Sequence, residues 1–214
     1  MLLEVYLDPC TVNSRKVLAG LDLLGTPFEL KRIDYLAGAH KQPDFLAINP
    51  MGELPAAVVG DLALAESNAI LQYAADLVGA ERHYPKDLSR RADVNRWLLW
   101  EASRWFPSCY VYLVEYVVKP LMGARPDEGV IDREAANWNR LAGILDARLA
   151  KSKWLVGNDV TIADIAVAAP MHLWKRQRLP LQRHPNLARW IADIERLPCW
   201  QKTQEAVDRV LSVA

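Results

Sequence analysis

The first part of the chain alternates apolar and polar residues and then changes to a helical spacing. Residues 3–7 alternate and are rich in β-forming side chains, which predicts a strand. Residues 14–24 repeat apolar side chains every three or four positions and stop before Gly25, which predicts a helix. Residues 28–33 predict a second strand. Two parallel strands joined by a helix of this length form a βαβ unit, which is expected to be right-handed.

Two short apolar runs further along predict a hairpin. Residues 56–59 and 62–64 flank Gly60-Asp61, a dipeptide typical of hairpin turns. Pro55 begins the first run, which is one of the few places where a sheet tolerates proline. The residue before a proline is held extended, so we expect the backbone N–H and C=O of Leu54 to be unused by any neighbouring strand. A peptide-like ligand could pair with that free edge.

Helical periodicity returns after the hairpin. An apolar run follows Glu66-Ser67 and ends near Gly79, so Ser67 is the predicted cap of a third helix. The start of such a helix can receive the carboxylate of a ligand. A short helix over residues 43–47 is predicted before the hairpin, which gives the order βαβ-α-ββα. We therefore predict an α/β thioredoxin-like domain over residues 1–79.

The second half of the chain shows only helical patterns. A polar linker over residues 80–88 precedes one long pattern over 91–121, which Pro107 is expected to kink. A second long helix is predicted over 130–149. We therefore predict that residues 89–214 form an all-α domain.

The last part of this helical half carries a recognisable start signal. Thr161-Ile162-Ala163-Asp164 is a hydroxyl-x-x-acid pattern that predicts a helix cap of the capping-box type, with Asp in place of Glu. Two further short helices are predicted to start around Pro185 and Pro198.

Composition and charge exclude several classes of protein. Lys+Arg and Asp+Glu both number 26, so no basic excess indicates a nucleic-acid partner. No apolar run approaches the roughly 18 residues needed to span a bilayer, and the first residues lack the positive start of a signal peptide. The 3 cysteines have no paired spacing. We therefore expect a cytoplasmic protein without disulfides, membrane spans or a metal site.

Two motifs in the first eighty residues carry a family resemblance. The run N-P-x-G-x-x-P over residues 49–55, followed by A-E-S-N-A-I over 65–70, resembles the cytosolic glutathione transferases. Residues 40–46 are similar to the phi and theta branches of that family, and the loop over 11–14 to the bacterial nu type. The resemblance extends over the whole chain in order and length. It implies a cis Leu54-Pro55 bond, glutathione as co-substrate without another cofactor, and a homodimer.

The resemblance also implies where glutathione binds. Glu66 would pair with the γ-glutamyl ammonium, and Ser67 would receive the neighbouring carboxylate at the start of the helix. Leu54, before Pro55, would act through its backbone. The remaining implied contacts are His40 and Lys41 at the glycyl carboxylate and, near the same end of glutathione, Glu53.

The loop after the first strand is the expected position of the sulfur. A strand that ends where a helix begins forms an anion site, and hydrogen bonds to a thiolate lower its pKa. The sequence leaves two functional interpretations open there, beside a structural one in which Cys10 is a small buried apolar residue and the loop is only a turn. In the first, Thr11 and Asn13 hold the glutathione thiolate, as the phi, theta and nu branches imply. In the second, Cys10 is a reactive thiol like that of omega-type enzymes, which form a mixed disulfide with glutathione.

The function implied by the resemblance is conjugation of glutathione to small hydrophobic electrophiles, with reduction of peroxides as a further activity. An omega-like thiol transferase that uses Cys10 is the alternative, and a non-catalytic transferase-like interaction module is a rival of another class. The helical domain is expected to line the hydrophobic substrate site. Five side chains of its first helix are the candidates: Trp105, Phe106, Cys109, Tyr110 and Leu113.

Overall fold

The computed structural model describes residues 2–212 and divides them into two compact units. Of the described residues, 2–86 and 198–212 form the first unit, and 87–197 form the second. The α/β thioredoxin-like class predicted for the first part and the all-helical class predicted for the second are both confirmed. Among the described residues, no helix is long and apolar enough to cross a membrane.

The first unit is built on a four-stranded mixed sheet with the order β2-β1-β3-β4. Its strands are β1 (Leu3–Leu7), β2 (Phe28–Arg32), β3 (Ala56–Val59) and β4 (Leu62–Leu64). Val5 in the middle of β1 pairs with Leu30 of the parallel β2 and with Ala57 of the antiparallel β3. The four predicted strands therefore lie where the sequence placed them, except that β2 ends one residue early.

Three helices accompany this sheet: α1 (Val12–Leu24), α2 (Pro43–Leu46) and α3 (Ser67–Val78). Helix α1 starts two residues before its predicted start because the Thr11 side chain accepts a hydrogen bond from Ser14 N and caps it. It ends at Gly25, whose φ of 68° is left-handed. A Cβ at Gly20 would lie 2.3 Å from Leu71 Cδ2, so glycine is what lets α1 and α3 approach closely.

The second unit opens with a long helical stretch that two π turns interrupt. Helix α4 (Leu88–Trp100), a π turn (Glu101–Trp105), α5 (Phe106–Leu113), a second π turn (Val114–Val118) and α6 (Lys119–Leu121) follow one another. A proline lies in the first turn of the segment after each π turn, at Pro107 and Pro120. Proline cannot donate to the carbonyl four residues back and crowds it, so the wider turn accommodates the ring.

The remaining helices of the second unit are α7 (Glu128–Leu149), α8 (Ile162–Ala168) and α9 (Pro185–Glu195). The predicted capping box is present at the start of α8, with Thr161 as the cap. Asp164 is completely buried, and its carboxylate accepts hydrogen bonds from Thr161 N and Leu155 N, both at 2.9 Å, and from Trp190 Nε1 at 3.0 Å. Asp164 therefore caps α8 and also connects it by hydrogen bonds to α9 and to the preceding loop.

The end of the chain returns to the first unit. Helices α10 (Pro198–Gln201) and α11 (Gln204–Ser212) pack with it, although the sequence placed residues 198–214 in the helical domain. The completely buried Arg15 of α1 explains this packing. Its guanidinium donates to Thr203 Oγ1 at 2.9 Å and lies 4.5 Å from the Trp200 ring. Such a contact across nearly the whole chain leaves no local pattern in the sequence.

Candidate functional site

A cavity in the first unit brings together most of the residues expected to bind a peptide. It lies where the loop before β3, the start of α3 and the first turn of α1 meet. Its lining consists of Asn13, Asn49, Met51, Glu53, Leu54, Pro55, Ala65, Glu66 and Ser67. Six of these, namely Asn13, Glu53, Leu54, Pro55, Glu66 and Ser67, are residues that the sequence singled out.

The backbone edge of the cavity is formed by the Leu54-Pro55 bond, which is cis. The Leu54 side chain is buried with Phe45 and Ala56, so only its backbone is available to a ligand. Within residues 2–212, neither the N–H nor the C=O of Leu54 has a hydrogen-bond partner. An extended peptide can therefore pair with both groups.

Asn49, which is not among the predicted site residues, organises the loop that leads to this edge. It is 3% exposed, its Nδ2 donates to Glu53 O at 2.8 Å, and its Oδ1 accepts from Met51 N at 3.2 Å. An asparagine side chain that bonds to the backbone two residues on is typical of a turn. The N-P-x-G run is the signal that would have identified it.

The start of α3 forms the opposite wall. Glu66, the residue before the helix, has φ 67° and ψ 110°, a conformation that non-glycine residues rarely adopt. This geometry makes Glu66 the position before the helix, and Ser67 the first helical residue rather than the predicted cap. Ser67 is 7% exposed, and its hydroxyl accepts a hydrogen bond from Lys16 Nζ at 3.1 Å. The first N–H groups of a helix and its dipole favour an anion at this wall.

The first turn of α1 places Asn13, rather than Thr11, in the cavity wall. Asn13 Oδ1 is buried without a hydrogen-bond partner among the described residues. The Thr11 hydroxyl lies 2.7 Å from Ser14 Oγ, to which it donates, and it also caps the helix. Thr11 is thus engaged by its own helix, whereas the Asn13 amide has unused hydrogen-bonding capacity.

Cys10 has the electrostatics of a protonated thiol. It is partly buried, and its N–H donates to Asp8 Oδ1 at 3.1 Å. Burial and, after it, the neighbouring Asp8 carboxylate raise the pKa of Cys10 to about 12. Because the thiolate is the nucleophilic form of cysteine, this environment opposes the interpretation of Cys10 as the reactive group.

His40 and Lys41 lie in a 3₁₀ turn beside the cavity and not in its lining. The His40 ring stacks on Tyr35 with centroids 4.5 Å apart. The exposed Lys41 reaches toward the cavity loop, with Nζ 3.5 Å from Met51 O. Glu53 is exposed and does line the cavity, while its own carbonyl is held by Asn49.

The five candidates for a hydrophobic substrate fall on two faces of the helical stretch. Trp105 and Cys109 are completely buried, and Leu113 is 6% exposed. Trp105 packs on Trp138 with centroids 5.6 Å apart, so these three side chains belong to the core of the second unit. The assignment of Trp105, Cys109 and Leu113 as ligand contacts is not supported, because their helical spacing turns them inward. Phe106 and Tyr110 stack on each other with centroids 5.4 Å apart, and Tyr110 is 41% exposed.

Among residues 2–212, no group of three or more His, Cys, Asp or Glu side chains is arranged to hold a metal ion. The cavity is lined by amide, hydroxyl, carboxylate and backbone groups. Such groups suit a short peptide that carries charges at its ends.

This fold and cavity define a class of protein: a thioredoxin-like unit with a peptide-binding edge, followed by a helical unit. Comparison with known proteins then gives the family. The family descriptions "Glutathione S-transferase, N-terminal domain" and "Glutathione S-transferase, C-terminal domain" match residues 3–76 and 112–198. Glutathione S-transferase 3 of Zea mays is 34% identical over 96% of this chain and 94% of its own.

Solved structures agree with that result. Glutathione transferase F7 from Populus trichocarpa has a TM-score of 0.89 and 30% identity, covering 96% of this chain and 99% of its own. Glutathione S-transferase I from maize, in complex with an atrazine glutathione conjugate, has a TM-score of 0.87 and 26% identity, covering 97% and 99%. The chain belongs to the glutathione S-transferase family. It is accordingly a transferase that takes glutathione as its co-substrate. The relative from Zea mays is a plant protein, which does not support the predicted likeness to the bacterial type.

Proposed function

We propose that the protein joins the thiolate of glutathione to small hydrophobic electrophiles, with Asn13 and Thr11 at the sulfur. The observation that carries this proposal is the single cavity in which Asn13, the Leu54 backbone and the Glu66-Ser67 pair meet. Each of these groups suits a different part of an extended tripeptide.

The γ-glutamyl end is proposed to lie at the start of α3. The Glu66 carboxylate pairs with its ammonium group, and the Ser67 hydroxyl together with the first N–H groups of the helix receives its carboxylate. The cysteinyl backbone pairs with the N–H and C=O of Leu54. At the glycyl end, Lys41 supplies the cation that offsets the negative charge of Glu53, and His40 lies next to it in the same turn.

The sulfur is proposed to lie at the first turn of α1. The Asn13 amide donates to it, and Thr11 becomes a second donor if Ser14 donates to Thr11 instead of accepting from it. Their oxygens are already 2.7 Å apart, so this exchange needs only a rotation of the two hydroxyl hydrogens. A fall of roughly two units from the ordinary thiol pKa of about 8.5 corresponds to about 2.7 kcal/mol. Two charge-assisted hydrogen bonds and the helix dipole can supply that stabilisation.

The thiolate then attacks the electrophilic carbon, so a carbon–sulfur bond forms while the bond to the leaving group breaks. The maize neighbour was solved with an atrazine glutathione conjugate, which leads us to propose aromatic electrophiles for this chain too. We propose that Phe106 and Tyr110, which stack on each other and of which Tyr110 is 41% exposed, contact such a compound. Peroxide reduction by the same thiolate and assembly into a homodimer are further parts of the proposal.

The test is turnover of a chloronitrobenzene with glutathione, combined with titration of the bound thiol by thiolate absorbance. Asn13→Ala and Thr11→Ala should each lower kcat by about tenfold or more and raise the thiol pKa, because each removes a hydrogen bond to a charged group worth about 1.5–3 kcal/mol. The KM for glutathione should change much less.

Cys10→Ala is the matched variant from the same loop. Loss of all turnover in this variant, with Asn13→Ala and Thr11→Ala still active, would transfer the chemistry to a thiol-transferase mechanism. A thiol that titrates in the complex as it does in buffer would also contradict the proposal.

A further inference from the structure

A buried lysine lies directly beneath the start of α3. Lys16 of α1 is 2% exposed, and its Nζ donates to Ser67 Oγ at 3.1 Å and to Asn68 Oδ1 at 3.4 Å. Lysine is almost never this buried without a specific reason, because its ammonium loses hydration. Here the ammonium touches the first two residues of the helix that forms one wall of the cavity.

The hydrogen bond from Lys16 determines how the Ser67 hydroxyl is oriented. An ammonium group has donors and no acceptor, so Ser67 Oγ must accept from it. The hydroxyl proton of Ser67 is then left to donate in another direction. Within the part of the chain that the structure describes, no acceptor for this proton is present, and Ser67 lines the cavity. The proton is therefore available to an acceptor that enters the cavity.

The positive charge of Lys16 favours an anion at the start of α3, as the helix dipole does. The start of α3 carries the positive end of the helix dipole, and the ammonium lies within hydrogen-bond distance of its first side chain. Solvent screens a buried charge much less than an exposed one. An anion that accepts a hydrogen bond from the Ser67 hydroxyl would therefore be stabilised by the helix dipole and by the charge of Lys16.

We propose that Lys16 is a positioning residue for the carboxylate at the γ-glutamyl end of glutathione. It fixes the Ser67 hydroxyl as a donor and adds a full positive charge behind it, so the site selects peptides that carry a carboxylate at this end. This inference rests on the proposed placement of glutathione. It assigns Lys16 no contact with the sulfur and no proton transfer.

The experiment compares two peptides by calorimetry: glutathione, and 4-aminobutanoyl-cysteinyl-glycine, which keeps the amine and lacks only that carboxylate. Lys16→Met should weaken glutathione binding by about tenfold or more and change binding of the shortened peptide by less than about threefold. Turnover at saturating glutathione should keep a kcat close to the wild-type value. Lys16→Arg should restore most of the affinity, because it restores the charge.

Lys41→Met is the matched lysine variant at the opposite end. It should weaken both peptides equally, because both keep the glycyl carboxylate. Lys16→Gln, which keeps a donor without the charge, serves if Lys16→Met fails to fold. Equal losses for both peptides in the Lys16 variants would show a merely structural lysine and overturn the inference, while leaving the proposed function intact. If the wild type binds neither peptide, the proposed function fails and this inference with it.

Discussion

Helix starts in the two units use the same chemistry for opposite purposes. In the second unit, the start of α9 is filled by the protein itself: Asp146 Oδ1 accepts from Asn186 N at 2.7 Å and from Leu187 N at 3.0 Å. The start of α8 is likewise closed by Thr161 and Asp164. In the first unit, no side chain among residues 2–212 caps the start of α3, which opens to a cavity.

The difference shows how a structural cap and a binding site can share one origin. The first N–H groups of every helix need an acceptor. Where a residue from elsewhere in the chain supplies a carboxylate, the helix start contributes to stability. Where none does, as at α3, the start is ready for the carboxylate of a ligand. Asp146 therefore shows, in the same molecule, the arrangement that we propose for glutathione at Ser67.

The largest expected effect is a loss of folding stability when the closed start of α8 is disrupted. Asp164→Ala should lower the free energy of unfolding by about 3–5 kcal/mol, because it leaves the buried donors of Leu155, Thr161 and Trp190 without their acceptor. Urea unfolding measures this loss, with the exposed Asp132→Asn of the same unit as the control. A loss below about 1 kcal/mol would show that this start is not closed by Asp164 in the way we describe.

The next effect separates the open start from the closed one. Ser67→Ala should weaken glutathione binding by about tenfold to a hundredfold, because a hydrogen bond to a charged group contributes about 1.5–3 kcal/mol. Thr161→Ala, the hydroxyl variant at α8, should lower stability and leave glutathione affinity unchanged. Calorimetric binding and urea unfolding on both variants provide the test. Equal behaviour of the two variants would remove the distinction between an open and a closed start.

A smaller effect concerns the cap at α9 and its dependence on pH. Burial alone would raise the pKa of Asp146, but the hydrogen bonds from Asn186 and Leu187 together lower it below its ordinary value. A lowered carboxyl pKa stabilises the folded state above the unfolded pKa of about 3.9 and loses this contribution as the pH falls through the folded value. Asp146→Ala should therefore cost about 1 kcal/mol near neutral pH. Its difference from the wild type should shrink below about pH 4, and a difference independent of pH would contradict the assignment.

The last test concerns the reactivity of Cys10, beside the start of α1, rather than stability or binding. With a pKa of about 12, this thiol should react with iodoacetamide about a thousandfold more slowly at pH 7 than an ordinary cysteine. The rate should rise about tenfold per pH unit without levelling off near 8.5. Mass spectrometry of the wild type and of Cys10→Ser separates this reaction from that of Cys109 and Cys199. Rapid labelling at neutral pH would restore the interpretation of Cys10 as a reactive thiol.

Local patterns in the sequence predicted much of the fold. The hairpin of β3 and β4 was placed to the residue, because a two-residue turn and two short apolar runs are set by neighbours in the chain. The aromatic candidates show the limit of such patterns. Cys109 and Tyr110 are adjacent, yet one is completely buried and the other is 41% exposed. A rotation of about 100° per residue separates a core position from a surface position, and the pattern alone did not choose between them.

The residues of the candidate site also fall into those that local patterns predict and those that depend on contacts between distant parts of the chain. The N-P-x-G-x-x-P and A-E-S-N-A-I runs identified the Leu54 edge and the start of α3, because both are features of continuous chain. Asn49, whose bonds are also local, was missed although its motif was read. Lys16 was missed for another reason, since its neighbours Ser67 and Asn68 belong to a different helix. The sequence does not decide whether Cys10 is reactive, because the burial that raises the pKa of its thiol depends on packing.

Local residue patterns were enough to place the strands, the capping box at the start of α8 and the stretch of chain that forms the cavity. That the protein itself closes the start of α9, whereas the start of α3 is left for a ligand, depends on packing. The side chains involved are distant in the chain from these helix starts. Asp146 lies 40 residues from Asn186, and Lys16 lies 51 residues from Ser67. Whether a polar group meets its partner inside the protein is settled by packing, and no local pattern of residues records it.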